Sequence, residues 1–147
     1  MMPTASPLAS LRLTPWPKNT TLVRRISTLI VAFGELLWLD LRGTRGYGVL
    51  RRTVERTPVA RRTVLDDEMT LVRVAMRDAC IFYIKPVHCL QRSSAVTRML
   101  RRRGVNAQLI IGHSTMPVRH HAWVEVDGRI VWDRLPGLEH YKVDERI

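Results

Sequence analysis

From residue 19 to residue 103 the apolar positions recur at three- and four-residue steps, the spacing of one helix face. Leu22, Ile26, Leu29, Ile30, Phe33, Leu36 and Leu37 form the first such stripe. It predicts an amphipathic helix from a cap at Asn19, Thr20 or Thr21 to about Leu41, with Gly43 as its stop. A basic second helix is expected around Tyr47 to Arg56, ending before Pro58. The third begins at Asp66, Asp67 and Glu68, whose charges suit the positive end of a helix dipole. Val72, Ala75, Met76, Ala79 and Tyr83 then line one face until Pro86. A short loop, Lys85 to His88, leads into a fourth helix from Cys89 to Arg103, stopped by Gly104.

After Gly104 the period changes from helical to alternating. Ala107 to Ile111 reads as a short apolar strand closed by Gly112. His121 to Val126 and Arg129 to Asp133 read as two more, joined at Asp127-Gly128 in a hairpin. Helices first and a small antiparallel sheet last make the fold class α+β. Residues 1–18 hold four of the eight prolines and read as a flexible Pro-rich arm. Residues 19–65 are then a basic helical N-terminal region and residues 66–147 the core.

Composition excludes whole classes. With 147 residues, 46% hydrophobic and 25% charged, the chain is long enough to bury one core and too apolar to be disordered. The longest apolar run, Ile26 to Leu41, carries Glu35 and Asp40 and falls short of the roughly 20 residues that span a bilayer. Two cysteines, Cys80 and Cys89, make no disulfide framework, and no signal peptide opens the chain, so a cytoplasmic protein with no integral membrane segment is expected.

The net charge of +11 is concentrated towards the N-terminus. Such a surface invites an acidic partner, yet arginines on solvated helix faces give the same count. The N-terminal helices share that ambiguity: they dock an acidic protein, or they simply pack on the core with their arginines in water.

Cys89 is the candidate nucleophile, because the first turn of a helix offers unpaired N–H groups and a dipole that favour a thiolate. The same N–H groups suit an oxyanion. Cys80, mid-helix beside Ala79 and Phe82, reads as structural. A cysteine nucleophile needs a histidine base and a group to orient it. His121 opens a strand, so the pleat fixes its direction. A three-residue loop, Val126-Asp127-Gly128, sets Asp133 opposite His121 with Cβ atoms about 4.5–5.5 Å apart, whereas a two-residue loop puts it on the other face. The three-residue count is adopted here, with Gly128 at positive φ. It places His121, Trp123, Val131 and Asp133 on one face, with the Nδ1 atom of His121 on the Asp133 carboxylate and the other ring nitrogen near Cys89.

The segments Cys89-Leu-Gln-Arg-Ser-Ser, Leu100-Arg-Arg-Arg-Gly-Val, Leu109-Ile-Ile-Gly, His121-Ala-Trp-Val-Glu-Val-Asp-Gly and Val131-Trp-Asp133 together resemble one family. It is the transglutaminase-like core of lasso-peptide B proteins, in particular the stand-alone leader-peptidase half of the split form. The resemblance covers roughly residues 70–135. It implies a papain/transglutaminase-like core, the nucleophile at a helix N-terminus packed on a small antiparallel sheet. It further implies catalytic Cys89, His121 and Asp133, and removal of the leader from a ribosomally made precursor peptide. The implied partners are that precursor, a small leader-recognition protein and an ATP-dependent macrolactam cyclase. No cofactor is implied. One departure is Gln91, where the family often has Glu.

Three rivals stand beside this reading. His88, Cys89, His113, His120 and His121 are metal-ligand types, but no ligand spacing of a zinc site is present, and no metal is expected. A nucleic-acid-binding protein accounts for the charge and for Arg101-Arg102-Arg103, but no nucleic-acid motif accompanies them, and no nucleic-acid partner is expected. A non-catalytic basic peptide-binding module is the third.

Overall fold

The computed structural model describes residues 14–60 and 66–147. Most of the Pro-rich arm therefore lies outside the described residues, as does the end of the basic region, 61–65. Four helices come first: α1 (Leu22–Gly43), α2 (Tyr47–Glu55), α3 (Asp66–Phe82) and α4 (Cys89–Arg102). Four strands follow: β1 (Ala107–Thr115), β2 (Val118–Val126), β3 (Arg129–Trp132) and β4 (Lys142–Arg146). They form one antiparallel sheet in the order β3-β2-β1-β4. The fold is α+β.

Local chemistry explains the helix ends. The Thr21 hydroxyl accepts from the Arg24 N–H and caps α1. The acidic first turn of α3 supplies Glu68, which pairs with both Arg24 and Arg103. Before the first helix, Trp16 packs against the core and the Thr14 carbonyl accepts from Arg77 Nη1 at 2.6 Å.

α4 is the central helix. Its residues from Ser93 to Arg101 are buried between α1 and α3 on one side and β1 and β2 on the other. Leu36, Leu39, Val72, Met76, Leu100, Leu109 and Val124 are wholly buried in this core. Each such side chain is worth about 1.5–3 kcal/mol relative to exposure.

α1 buries only part of its predicted apolar stripe: Leu36 is wholly buried and Leu29 and Phe33 pack against the core. Thr28, Ala32, Glu35, Leu36 and Leu39 are buried, while Leu22, Ile26, Ile30 and Leu37 stand in solvent. The unexpected inward residue is Glu35, which accepts from Arg98 Nε at 2.8 Å and also pairs with Arg102. That ion pair seats a carboxylate on the inner side of the helix.

The sheet corrects three further expectations. β1 runs through Gly112 to Thr115 instead of stopping there. β4 is an edge strand, Lys-Val-Asp-Glu-Arg, whose polar composition protects an open edge and gives no alternating signal. The β2–β3 hairpin has a two-residue loop, not three: Val126 pairs with Arg129. Asp127 at φ 50° and Gly128 at φ 73° are both left-handed, the backbone a type I′ turn requires. The extra residue comes later, as an irregularity between Val124 and Glu125 that pairs Val124 with Trp132. Ile130 consequently packs beside Trp123, and Val131 turns to the main core.

Candidate active site

Cys89 is the first residue of α4, and His88 before it makes no side-chain cap. The first intrahelical bond is Arg92 N–H to the His88 carbonyl, so the Cys89, Leu90 and Gln91 N–H groups precede the helical ladder. The positive end of the helix dipole lies at the sulfur. The side chain of His121, itself buried, and the Ala122 main-chain N–H face that sulfur, and both favour its thiolate form. Both come from β2, which packs on α4.

His121 Nε2 lies 2.7 Å from the main-chain carbonyl oxygen of Asp133. A carbonyl only accepts, so Nε2 carries the proton and Nδ1 is the nitrogen left for Cys89. Trp123 stacks near-parallel to the imidazole at 6.2 Å, and Tyr141 meets it edge-on at 6.3 Å. The ring is thereby held from two sides.

Asp133 is buried and near the ring, but its carboxylate is elsewhere, against the sequence expectation. Arg92 donates Nε to Oδ2 at 2.6 Å and Nη2 to Oδ1 at 2.8 Å. Two features cause this. The late irregularity in β3 replaces the expected register, and Asp133 adopts left-handed backbone (φ 62°) that ends the strand. That conformation is uncommon outside glycine and is tolerated best by Asn and Asp. It turns the carbonyl to the imidazole and the side chain to α4.

Arg92 makes a third bond, Nη1 to the Val87 carbonyl at 2.9 Å. Ser93 donates to the Ala122 carbonyl at 2.9 Å and lies 3.4 Å from Asp133 Oδ2. One turn of α4 therefore ties together the loop before Cys89, the strand that carries His121, and the residue that holds its ring.

The electrostatics favour an ion pair. Burial pushes the Cys89 thiol up, but the His121 hydrogen bond, the Ala122 N–H and the imidazolium charge outweigh it and leave the thiol below its ordinary value. Burial pushes His121 down, and the bonds to Cys89 and the Asp133 carbonyl, with the Asp133 charge, lift it above its ordinary value. Cys80 is the contrast: burial pushes its thiol up to about 12.

Other sequence candidates are engaged differently. The Tyr83 hydroxyl, considered as an oxyanion donor, donates to Asp40 at 3.4 Å. Gln91 Nε2 donates to the Leu36 carbonyl at 3.0 Å, a bond an ionised Glu cannot make. Among the described residues no group of three or more His, Cys, Asp or Glu is placed to hold a metal. None of the described helices is long and apolar enough to cross a membrane. Arg101 is buried on the Ala107 and Val54 carbonyls, Arg102 pairs with Glu35, and Arg103 with Glu68, so this run is bound within the fold.

Two residues that matter here were not read as part of the site: Arg92 had no role, and Gly112 was expected only to close a strand. Arg92 stands three residues after Cys89, hence on a neighbouring face of the helix. Gly112 pairs with His121 across β1 and β2, and a Cβ there would lie 2.6 Å from the Lys142 carbonyl oxygen and 2.9 Å from the Trp123 ring. A glycine inside a strand pattern is the signal for such close approach.

The chain is similar in sequence to known proteins. A segment of 45 residues is 44% identical to the microcin J25-processing protein McjB of Escherichia coli, covering 31% of this chain and 22% of that relative. No solved structure matches the chain. The profile of the transglutaminase-like superfamily matches residues 29–145, from within α1 to within β4, and the chain belongs to that superfamily.

Proposed function

We propose that this chain is a cysteine peptidase that removes the leader from a ribosomally synthesised lasso-peptide precursor. The observation that carries the reading is the half-buried Cys89 at the head of α4 facing the buried His121 of β2, with the thiol lowered and the imidazole raised. Superfamily membership and the segment shared with McjB support it, as does the resemblance of the Cys89, His121 and Val131-Trp-Asp133 segments to the split leader peptidases.

In this mechanism the Cys89 thiolate attacks the scissile carbonyl, and the Cys89 N–H donates to the oxyanion. His121, through Nδ1, protonates the leaving amine as the tetrahedral intermediate collapses to a thioester. It then takes a proton from water, which hydrolyses the thioester and frees Cys89. Asp133 keeps the Nε2 proton in place through its carbonyl and holds Arg92 through its carboxylate. A small leader-recognition protein delivers the precursor, and an ATP-dependent cyclase closes the macrolactam on the released core.

The test is mass spectrometry of the precursor incubated with this protein, with and without the leader-recognition protein. Cleavage at one site, faster with the recognition protein at low substrate and absent in folded Cys89→Ala, is expected. Normal turnover by Cys89→Ala sinks the cysteine mechanism. Binding of the precursor without cleavage by the wild-type protein makes the chain a peptide-binding module instead.

A further inference from the structure

α1, α2 and the C-terminal end of α4 enclose a cleft of about 620 Å³. Trp38 and five arginines line it: Arg42, Arg52, Arg56, Arg98 and Arg102. Among the described residues one carboxylate, Glu35, bonds to any of these arginines, and it is shared by Arg98 and Arg102. Four positive charges are left in excess around one concave space. Arg52 on α2 and Arg56 just after it are exposed, with no acid partner among the described residues. Gathering like charges is unfavourable unless an anion joins them, and guanidinium forks match carboxylates two bonds at a time.

We propose that this cleft docks an acidic peptide segment of a partner protein, taking its carboxylate side chains among Arg42, Arg52 and Arg56. A nucleic acid fits less well. Single strands need an aromatic face to stack on, and the Trp38 ring is covered by Arg42 at 4.2 Å and Arg98 at 4.3 Å. The neighbouring arginines that would extend the patch into a stripe, Arg101 and Arg103, are bound inside the fold. The partner does not compete for the peptidase site. Arg98 lies nine residues beyond Cys89 on α4, which is about 13 Å along the axis and half a turn round it.

Fluorescence anisotropy of a labelled octaglutamate peptide at low ionic strength tests this, with the full chain as receptor. Saturable one-to-one binding is expected. Arg52→Gln with Arg56→Gln should weaken it about tenfold or more, the worth of one charge-assisted hydrogen bond. Arg119→Gln with Arg129→Gln, an equal loss of charge at exposed positions on the sheet, should change it little. Equal weakening by both pairs means diffuse attraction and overturns the site. So does tighter binding of a labelled oligothymidylate that depends on Arg52 and Arg56, which makes the cleft a nucleic-acid site. Bound octaglutamate should leave alkylation of Cys89 unchanged; protection of the thiol overturns the remote placement. None of these readouts requires turnover, so failure of the peptidase reading is seen separately.

Discussion

Arg92 grips both carboxylate oxygens of Asp133 through two parallel hydrogen bonds, so the residue expected to orient the imidazole does so with its main chain. The carboxylate is wholly buried and the guanidinium nearly so. Removing either partner leaves a buried charge uncompensated, which costs about 3–5 kcal/mol where such pairs have been broken.

This gives a double-substitution expectation. Arg92→Gln and Asp133→Asn should each lower the melting temperature and slow cleavage. The doubly neutral Arg92→Gln/Asp133→Asn protein should recover part of both losses, since no charge is stranded. Strict additivity, measured by chemical denaturation and kcat/KM, shows that the pair does not act as a unit. If Asp133→Asn alone removes rate but not stability, the carboxylate serves the imidazole directly.

The two thiols should separate by reactivity. With Cys80 pushed up to about 12 and Cys89 held below its ordinary value, iodoacetamide near neutral pH should label Cys89 first by a wide margin. Peptide mapping after partial labelling reads this directly. Comparable labelling of both shows that the imidazole does not activate Cys89.

The pH profile follows from the same pair. Cys89 is lowered, so the acid limb of kcat/KM should lie below the ordinary thiol range; His121 is raised, so the alkaline limb should lie above the ordinary imidazole range. Activity needs the thiolate, present above the first, and the imidazolium, lost above the second. A single rise at the pKa of a free thiol, with no alkaline limb, contradicts the ion pair.

Gly112 should not accept a side chain. Gly112→Ala pushes a methyl group against the Lys142 carbonyl and the Trp123 ring, a strain of about 1–3 kcal/mol. Because Trp123 stacks on His121, kcat should fall together with the melting temperature. A fall in stability with unchanged kcat separates the packing of β4 from the seating of the imidazole.

The sequence alone determined the helices, because each carries its own start, stop and period. Thr21, the acidic residues from Asp66 and the Cys89–Gly104 stretch are local signals, read over a few residues. It also singled out Cys89 and His121 as candidates, from a helix start and a place on a core strand, although β2 begins at Val118, three residues before His121. The burial of Glu35 on α1 was not legible, because it makes sense only once Arg98 and Arg102 arrive from a helix some sixty residues away. Likewise Asp133 was found, but which of its atoms meets His121 was not. Asp-Gly admits both a two- and a three-residue loop, and the choice rests on where β3 takes up its irregularity. That goes with Arg92, half-buried on α4, whose fork is matched by a carboxylate, and with a left-handed Asp133 that supplies it. A charge can be buried only with its partner, and the partner is chosen by the packing of the whole chain.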